Sequence, residues 1–454
     1  MAPFARTAQR FGAHARLVDP RGGRGTKIKS NKVTAEIPTT TMPLPTHVVL
    51  PMQQHIGAQC KPTVKRRDHV DVGTLVGHAD ARTTADIFSP VSGTVKELHK
   101  FYYTNGRNDV AVVIEPDGEQ TVDPGIKPPR VHTYEDLLNA LKRSGIVGLG
   151  GAGFPTDLKM DVDLSAIDTW LVNGAECEPY LTSDYREMVE HPDTICYALK
   201  TCLDLSGIKK ALICIEGNKP RAIELLRLKV QDDPRIDVCE LPQRYPQGAA
   251  RVIVRSATGR IMAAGMHTTD IGCLLFNVTT MSAIGRFLQT GLPLVRRRIT
   301  VSGDAVEHPQ NLDLAIGTPI REVLDFCGLR TQPRKIVTGG PMMGTCQVDL
   351  DYPIVRQNSG LLAFSEVACA PTHTTACIRC GSCINSCPLN LMPIEIQKAY
   401  RRGDTPTLNK LHADLCMGCG TCSYVCPARQ PLTESTHLAA AYLKSEKRKG
   451  KKFD

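Results

Sequence analysis

The chain has 454 residues, enough for about three domains at roughly 100–200 residues each. Its 42% hydrophobic and 22% charged residues exclude a disordered or collagenous chain. Lys plus Arg exceed Asp plus Glu by 55 to 46, a net charge of +9 concentrated at the two ends. Residues 1–32 hold eight basic side chains against one acid, Asp19, and the closing KSEKRKGKKFD is Lys-rich. Both ends read as solvated tails, with docking on an anionic lipid surface or an acidic partner as the functional alternative. One Trp and 5% aromatics leave few stacking platforms, which argues against nucleic-acid recognition. No apolar run reaches the ~18 residues of a membrane helix and no signal peptide is evident, so a soluble, cytosolic chain is expected.

Residues 46–100 alternate short apolar pairs with Gly and Asp, which predicts a small β-domain. Its SPVSGTV stretch resembles the second half of a biotinyl/lipoyl-type sandwich. No Lys occurs from Gly73 to Pro90, so no covalent swinging arm is expected and the module reads as a packing or docking surface. His55 reads as a hydrogen-bonded loop histidine.

Next comes GIVGLGGAGFPTDLKM, with Gly148, Gly150, Gly151 and Gly153 within six residues, then Phe154 and Lys159. Such a loop exposes amides and suits a phosphate cradle; alone it is equally a structural turn. An apolar run, DTWLVNGAECEPY, then ends on Asn173, Glu176 and Glu178, a usual place for ligands in open α/β sheets. Those carboxylates could bind a sugar hydroxyl or cap the following helix. KKALICIEG, NKPRAIELLRLKV and the turn LPQRYPQG continue a strand–helix alternation, which predicts a parallel sheet. From Arg296 to about Glu366, an alternating strand, a turn, the helix-like PIREVLDFCGL and the turn TGGPMMG suggest a small α+β fold. Met342 and Met343 read as packing residues.

Eight of the 18 cysteines fall between residues 377 and 426. Cys377, Cys380, Cys383 and Cys387 form C-x2-C-x2-C-x3-C-P, and Cys416, Cys419, Cys422 and Cys426 repeat it. Three closely spaced thiolates hold three corners of an iron–sulfur cube, and the fourth ligand arrives from elsewhere. In bacterial two-cluster ferredoxins the fourth Cys of each run crosses to the other cluster. Applied here, that known pattern assigns Cys377, Cys380, Cys383 and Cys426 to one 4Fe–4S cluster, and Cys416, Cys419, Cys422 and Cys387 to the other. Structural zinc knuckles need neither a third Cys per run nor the following Pro. Gly381, Gly418 and Gly420 would let backbone amides approach the sulfides. The other ten cysteines read mostly as small buried hydrophobes.

The order GLGGAGFPTDLK, NGAECEPY, YPQG, GGPMMG and two ferredoxin runs resembles the RnfC family, the C component of Rnf (Rsx) ion-translocating electron-transport complexes, from about residue 46 to 430. The central part is also similar to the flavin-bearing, NADH-oxidising subunit of respiratory complex I. The resemblance implies a multidomain α/β and α+β chain: a lipoyl-like β-sandwich, a Rossmann-like FMN/NADH-binding domain, an SLBB-type β-grasp domain and a two-cluster ferredoxin-like domain. The corresponding boundaries are 1–45 for a basic extension, then 46–125, 126–295, 296–368 and 369–430, with a basic tail at 431–454.

It further implies FMN reduced by NADH and two 4Fe–4S clusters receiving the electrons. Gly148, Gly150, Gly151 and Gly153 would wrap the flavin phosphate, and Lys159 and Glu178 would act at the reacting centre. Phe154, Asn173, Glu176, Tyr245 and Asn277 would complete the flavin and dinucleotide site. Membrane subunits and a ferredoxin-like subunit would be partners, at the cytoplasmic side of the cell membrane. Where the family pattern follows YPQG with Gly-Glu-Lys, this chain has Ala249, Ala250 and Arg251, so a carboxylate is missing. Phe276 stands where the family has the first Asn of Asn-Asn-Val, and the N-terminal Gly-Gly-x-His-Pro is absent. Two alternatives follow: an electron relay that does not use NADH, and a soluble cobalamin reductase.

Overall fold

The computed structural model describes residues 25–103, 106–263, 265–369 and 373–450. It divides into a larger unit, Ser30–Glu240 with Gly272–Ala370, and a smaller one containing Leu241–Ile271 and the chain from Pro371 onward.

The larger unit begins with a small β-sandwich. Strands Val48–Pro51, Asn108–Pro116, Gly93–Tyr102 and His69–Val70 form one antiparallel sheet, and Lys61–Pro62, Leu75–His78 and Ile87–Phe88 the other. Val48, Leu50, Val70, Val76, Ile87 and Ile114 from both sheets share one core. Along Gly93–Tyr102, Gly93 and Val95 turn inward while Thr94 and Lys96 face out, the two-residue period of a half-buried strand. His55 is buried, bonds Ala58 O through Nε2 at 2.8 Å, and burial lowers its pKa to about 4. It is neutral and structural, as expected.

The central sheet has the order Ile236–Leu241, Lys210–Glu216, Thr169–Gly174, Cys273–Asn277. Thr169–Gly174 pairs in parallel with strands on both sides. Its residues Trp170, Leu171 and Val172 are all fully buried, because both faces of a parallel sheet are covered. One face packs Trp170, Val172, Ile213, Ile215, Leu274 and Phe276 into a core with helices Pro192–Ser206 and Val278–Thr290. Asn173 and Asn277 stand side by side at the C-terminal ends of neighbouring strands of this sheet.

A mixed six-stranded sheet follows, in the order Thr40–Thr41, Gln310–Ala315, Arg296–Ser302, Gly360–Phe364, Lys335–Thr338, Thr345–Gln347, with helix Ile320–Cys327. Its edge strand Thr40–Thr41 comes from the extension assigned to residues 1–45, which thus joins a folded sheet. Thr34 is also fully buried, its hydroxyl 2.6 Å from that of Thr182, and Asn311 donates to its carbonyl at 3.0 Å. The solvated reading, made for residues 1–32, fails at Lys32, whose Nζ is bonded to the carbonyls of Glu178 and Leu181, while residues 1–24 lie outside the described residues. Met343 is 54% exposed and is not a packing residue.

In the smaller unit, helices Pro393–Arg401, Thr405–Lys410 and Leu432–Gly450 enclose a core of Leu391, Ile396, Ala399, Leu408, Ala413 and Leu443. The chain is helical as far as Gly450 and docks through Leu432, Ala439 and Leu443, which recur at helical spacing and are buried, so the tail read from 431 onward is packed as far as Leu443; Lys444 and Ser445 are exposed, and 451–454 lie outside the described residues. Leu241–Ile271 belongs to this unit. Tyr245 there exchanges two backbone hydrogen bonds with Thr26, at 2.9 and 3.0 Å. Helix Ala250–Thr258 starts after Ala249 with no side-chain cap, at the position where the family pattern carries its carboxylate.

Candidate functional site

The glycine loop is closed by two of its own bonds, Gly148 N–H to Phe154 O at 2.8 Å and Gly153 N–H to Gly148 O at 3.0 Å. Gly151 and Gly153 have φ of +110° and +66°, values that side-chain-bearing residues rarely adopt. A Cβ on Gly153 would come within 2.6 Å of Gln357 Nε2, whereas one on Gly151 would meet nothing within 4 Å. Gly151 thus faces open space from which a ligand can approach. The loop is pinned on the helix Val278–Thr290 by Leu149 N–H to Thr280 Oγ1, 3.0 Å, and by the buried Arg297, which donates to Leu149 O at 2.8 Å.

Asn277 caps that helix: its Oδ1 accepts from Thr279 N and Thr280 N at 2.9 and 3.3 Å. Its amide donates to Asp184 at 2.7 Å, and Thr279 Oγ1 donates to the same carboxylate at 2.6 Å. Burial, and then the neighbouring Glu176, push Asp184 up to about 6. Glu176 is itself a cap. It accepts from Asp184 N at 2.8 Å, Tyr185 N at 3.2 Å and Ser183 Oγ at 3.4 Å, at the start of helix Ser183–Glu190. The capping alternative raised by the sequence is what the geometry shows for this residue.

Glu178 accepts from Met342 N at 3.0 Å, and a Cβ on Gly340 would overlap its carboxylate, which explains a glycine in GGPMMG. Asn173 Oδ1 accepts from Ala175 N at 3.0 Å and stands opposite Asn277 in the sheet. Lys159 is half-buried, its Nζ 4.8 Å from the centroid of Phe276, whose ring stacks on Trp170 at 5.3 Å. Burial lowers its pKa to about 8. Loop, Lys159, Asn173, Glu176, Glu178 and Asn277 all belong to the larger unit, and Tyr245 to the smaller.

Two participants went unread in the sequence. Lys32 donates from Nζ to Glu178 O at 3.0 Å and to Leu181 O, with its pKa lowered chiefly by burial. Lys219 forms a buried ion pair with Glu216 at 2.9 Å and also reaches Glu176 O at 3.4 Å. Their signal was weak, since a lysine in a basic stretch or before a proline is ordinarily a surface residue.

The cysteine runs lie in the smaller unit. Each ends in a short helix, Ser382–Ser386 or Thr421–Tyr424, preceded by Gly381 or Gly420 at positive φ. Cys387 interacts with Cys416 and Cys419, Cys422 with all three of these, and Cys383 with Cys426. Cys387 thus lies with the second run and Cys426 beside Cys383 of the first, while no such contact places Cys377 or Cys380. Cys387, Cys416, Cys419 and Cys422 line a single cavity, walled by Leu389, Leu391 and Pro393. Among the described residues no three His, Cys, Asp or Glu side chains are gathered closely enough to hold one metal ion. Cys387 from the first run thus shares one cavity with three cysteines of the second, the arrangement a crossed fourth ligand would require. Burial pushes Cys387 up to about 11 and Cys422 to about 12, so iron would displace protons on binding.

Residues 21–119 match the RnfC barrel sandwich hybrid domain, 141–286 the Nuo51 FMN-binding domain, 298–345 the SLBB domain and 376–429 the 4Fe–4S dicluster domain. The chain is 38% identical over 424 residues to the C component of the Na(+)-translocating ferredoxin:NAD(+) oxidoreductase complex of Acetobacterium woodii, covering 92% of this chain and 95% of that one. The chain belongs to the RnfC family. It is 37% identical to the C component of the proton-translocating ferredoxin:NAD(+) oxidoreductase complex of Clostridium ljungdahlii, covering 80% of each. It is also 37% identical to the C component of the ion-translocating oxidoreductase complex of Rhodobacter capsulatus, covering 90% of this chain and 80% of that one. As an RnfC chain it combines the FMN-binding and dicluster domains behind a barrel sandwich. Among its described residues no helix is long and apolar enough to cross a membrane.

Proposed function

We propose that this chain is the electron-input subunit of a membrane-bound, ion-translocating ferredoxin:NAD oxidoreductase complex, passing electrons between NADH and its ferredoxin-like or membrane partners. One observation carries the reading: a single RnfC chain holds both an FMN-binding domain and a 4Fe–4S dicluster domain. The names of the relatives supply the activity. Bound flavin exchanges two-electron hydride chemistry for one-electron steps, which the clusters accept singly.

The residues of the chain bind and orient. Amides of Gly148 to Gly153 cradle the phosphate, approached from the open side of Gly151. Lys159 keeps most of its charge at pH 7 and presents a desolvated cation to the flavin or nicotinamide. Asn277 holds the loop through its cap, and Asn173 opposite it forms the rim. Glu176 fixes the helix beneath the site, and Glu178 anchors the Met342 turn at its edge. Phe154 offers a stacking surface for the dinucleotide, and Tyr245 is assigned to the dinucleotide by the family pattern alone. Attachment is peripheral, at the cytoplasmic face of the membrane subunits.

The bare start of helix Ala250–Thr258 favours a second reading, in which the donor is another protein and not NADH. Anaerobically purified protein mixed with NADH separates the two. Rapid bleaching of the flavin spectrum is expected; bound flavin that only reduced ferredoxin bleaches establishes the relay. Protein that binds no flavin overturns both.

A further inference from the structure

Strands Lys210–Glu216 and Ile236–Leu241 are neighbours, and the Ala211 N–H donates to Arg235 O at 2.8 Å where both begin. In a parallel ladder that bond sets the register, and it puts Cys214 opposite Cys239. Adjacent strands lie about 4.8 Å apart, within the Cα separation that a disulfide spans. The two sulfurs share a hydrogen bond, and both residues are free thiols, Cys214 buried and Cys239 partly exposed.

Cys214 is also opposite Asn173, which is opposite Asn277. One row therefore runs Asn277, Asn173, Cys214, Cys239, all on the same face, because directly paired residues project to the same side. The row links the asparagines of the flavin edge to a thiol pair that has no part in the proposed electron transfer.

The two thiols are unlike. The hydrogen bond from Cys214 lowers Cys239 to about 7, with Lys210 favouring and Asp237 opposing the charged form. The same bond and burial raise Cys214 well above the usual thiol range. Cys239 is the attacking group and Cys214 the resolving one. Cys202 on the neighbouring helix, which burial alone pushes up to about 12, is an inert comparison.

We propose that Cys214 and Cys239 are a redox-active dithiol of the flavin sheet, converted to an intrachain disulfide by low-molecular-weight disulfides. The Cys239 sulfur bonds to one sulfur of the small disulfide, whose S–S bond breaks, and the departing thiolate takes a proton from solvent. Cys214 then releases its proton and attacks the Cys239 sulfur, displacing the second small thiolate, which is protonated in turn. The protein loses two electrons and the small disulfide gains them; a reducing dithiol reverses the exchange.

Anaerobic holoprotein is incubated with oxidised glutathione, quenched with an alkylating agent, digested and analysed by mass spectrometry. The expected product is a peptide joining Cys214 to Cys239, removed by dithiothreitol, with Cys202 alkylated as before only after unfolding. C214S should stop with glutathione on Cys239, and C239S should give neither product. A wild-type digest with no linked peptide, both thiols alkylating as in untreated protein, overturns the proposal without recourse to any variant. So does a C214S protein that acquires no glutathione at Cys239.

Discussion

In the first cysteine run Cys377 and Cys380 are exposed, whereas in the second Cys419 and Cys422 are buried. The spacing is the same and the surroundings are not. Around the second set, Thr421 Oγ1 lies 3.2 Å from Cys419 Sγ and Thr436 Oγ1 3.4 Å from Cys416 Sγ. Gly418 N–H donates to Cys416 Sγ at 3.4 Å and Leu391 N–H to Cys387 Sγ at 3.3 Å. Around the first set, Ser382 Oγ stands 3.4 Å from Cys380 Sγ. Hydrogen bonds to sulfur and solvent exposure set the potential of a cluster, so the same ligand spacing is expected here to give two unequal potentials.

Crossing is the part of this comparison with the largest consequence. Cys387→Ala should abolish the buried second cluster although Cys387 sits in the first run, and Cys426→Ala should abolish the exposed one. Each should leave about half of the iron, since each cube holds about four. Loss of the opposite cluster, read from EPR signals assigned by solvent accessibility, contradicts the crossed grouping.

Leu443 belongs to the core that contains Cys387, so Leu443→Ala should destabilise the module by about 2–5 kcal/mol in denaturant titrations. A change under about 0.5 kcal/mol, typical of surface positions, would return the C-terminal helix to the status of a tail. Chelator added to the reduced protein should strip the exposed cluster several-fold faster than the buried one. Equal loss rates would mean that burial does not distinguish them.

Thr421→Val keeps the shape and removes the hydroxyl beside Cys419. The second cluster should fall in potential by roughly 20–60 mV, the equivalent of one ordinary hydrogen bond, with the first unmoved. An unchanged redox titration shows that this hydroxyl does not reach the cluster.

Lys159 serves as the reference outside the module. Its lowered pKa means that the ammonium is present below about 8 and lost as pH rises through it. FMN affinity should weaken over that window by about 1.5 kcal/mol, roughly tenfold in Kd. Lys159→Gln should show the weaker affinity at every pH, and a Lys159→Gln profile that still falls near pH 8 assigns the titration to another group.

The motifs and the domain types were legible in the sequence because each is local. The thiolate spacing, the glycine loop and the alternation of strands with helices all sit within short windows. What escaped depends on distant partners. Lys32 looked like one more solvated cation until the carbonyls of Glu178 and Leu181 surrounded it, and Thr40–Thr41 became a strand only by pairing with Gln310–Ala315. Glu176 and Asn277 were found by motif, but their capping bonds to helices that start at Ser183 and Val278 require the fold. Asp184 carried no motif at all, and its position emerges from the packing of two helix starts against one another.

Elemental and flavin analysis of the anaerobically purified chain, with EPR of the dithionite-reduced protein, tests the central claim most directly. About eight iron and eight sulfide per chain, one FMN and two interacting cluster signals are the predicted result. Zinc in place of iron, or a full iron complement with no flavin bound, would contradict it.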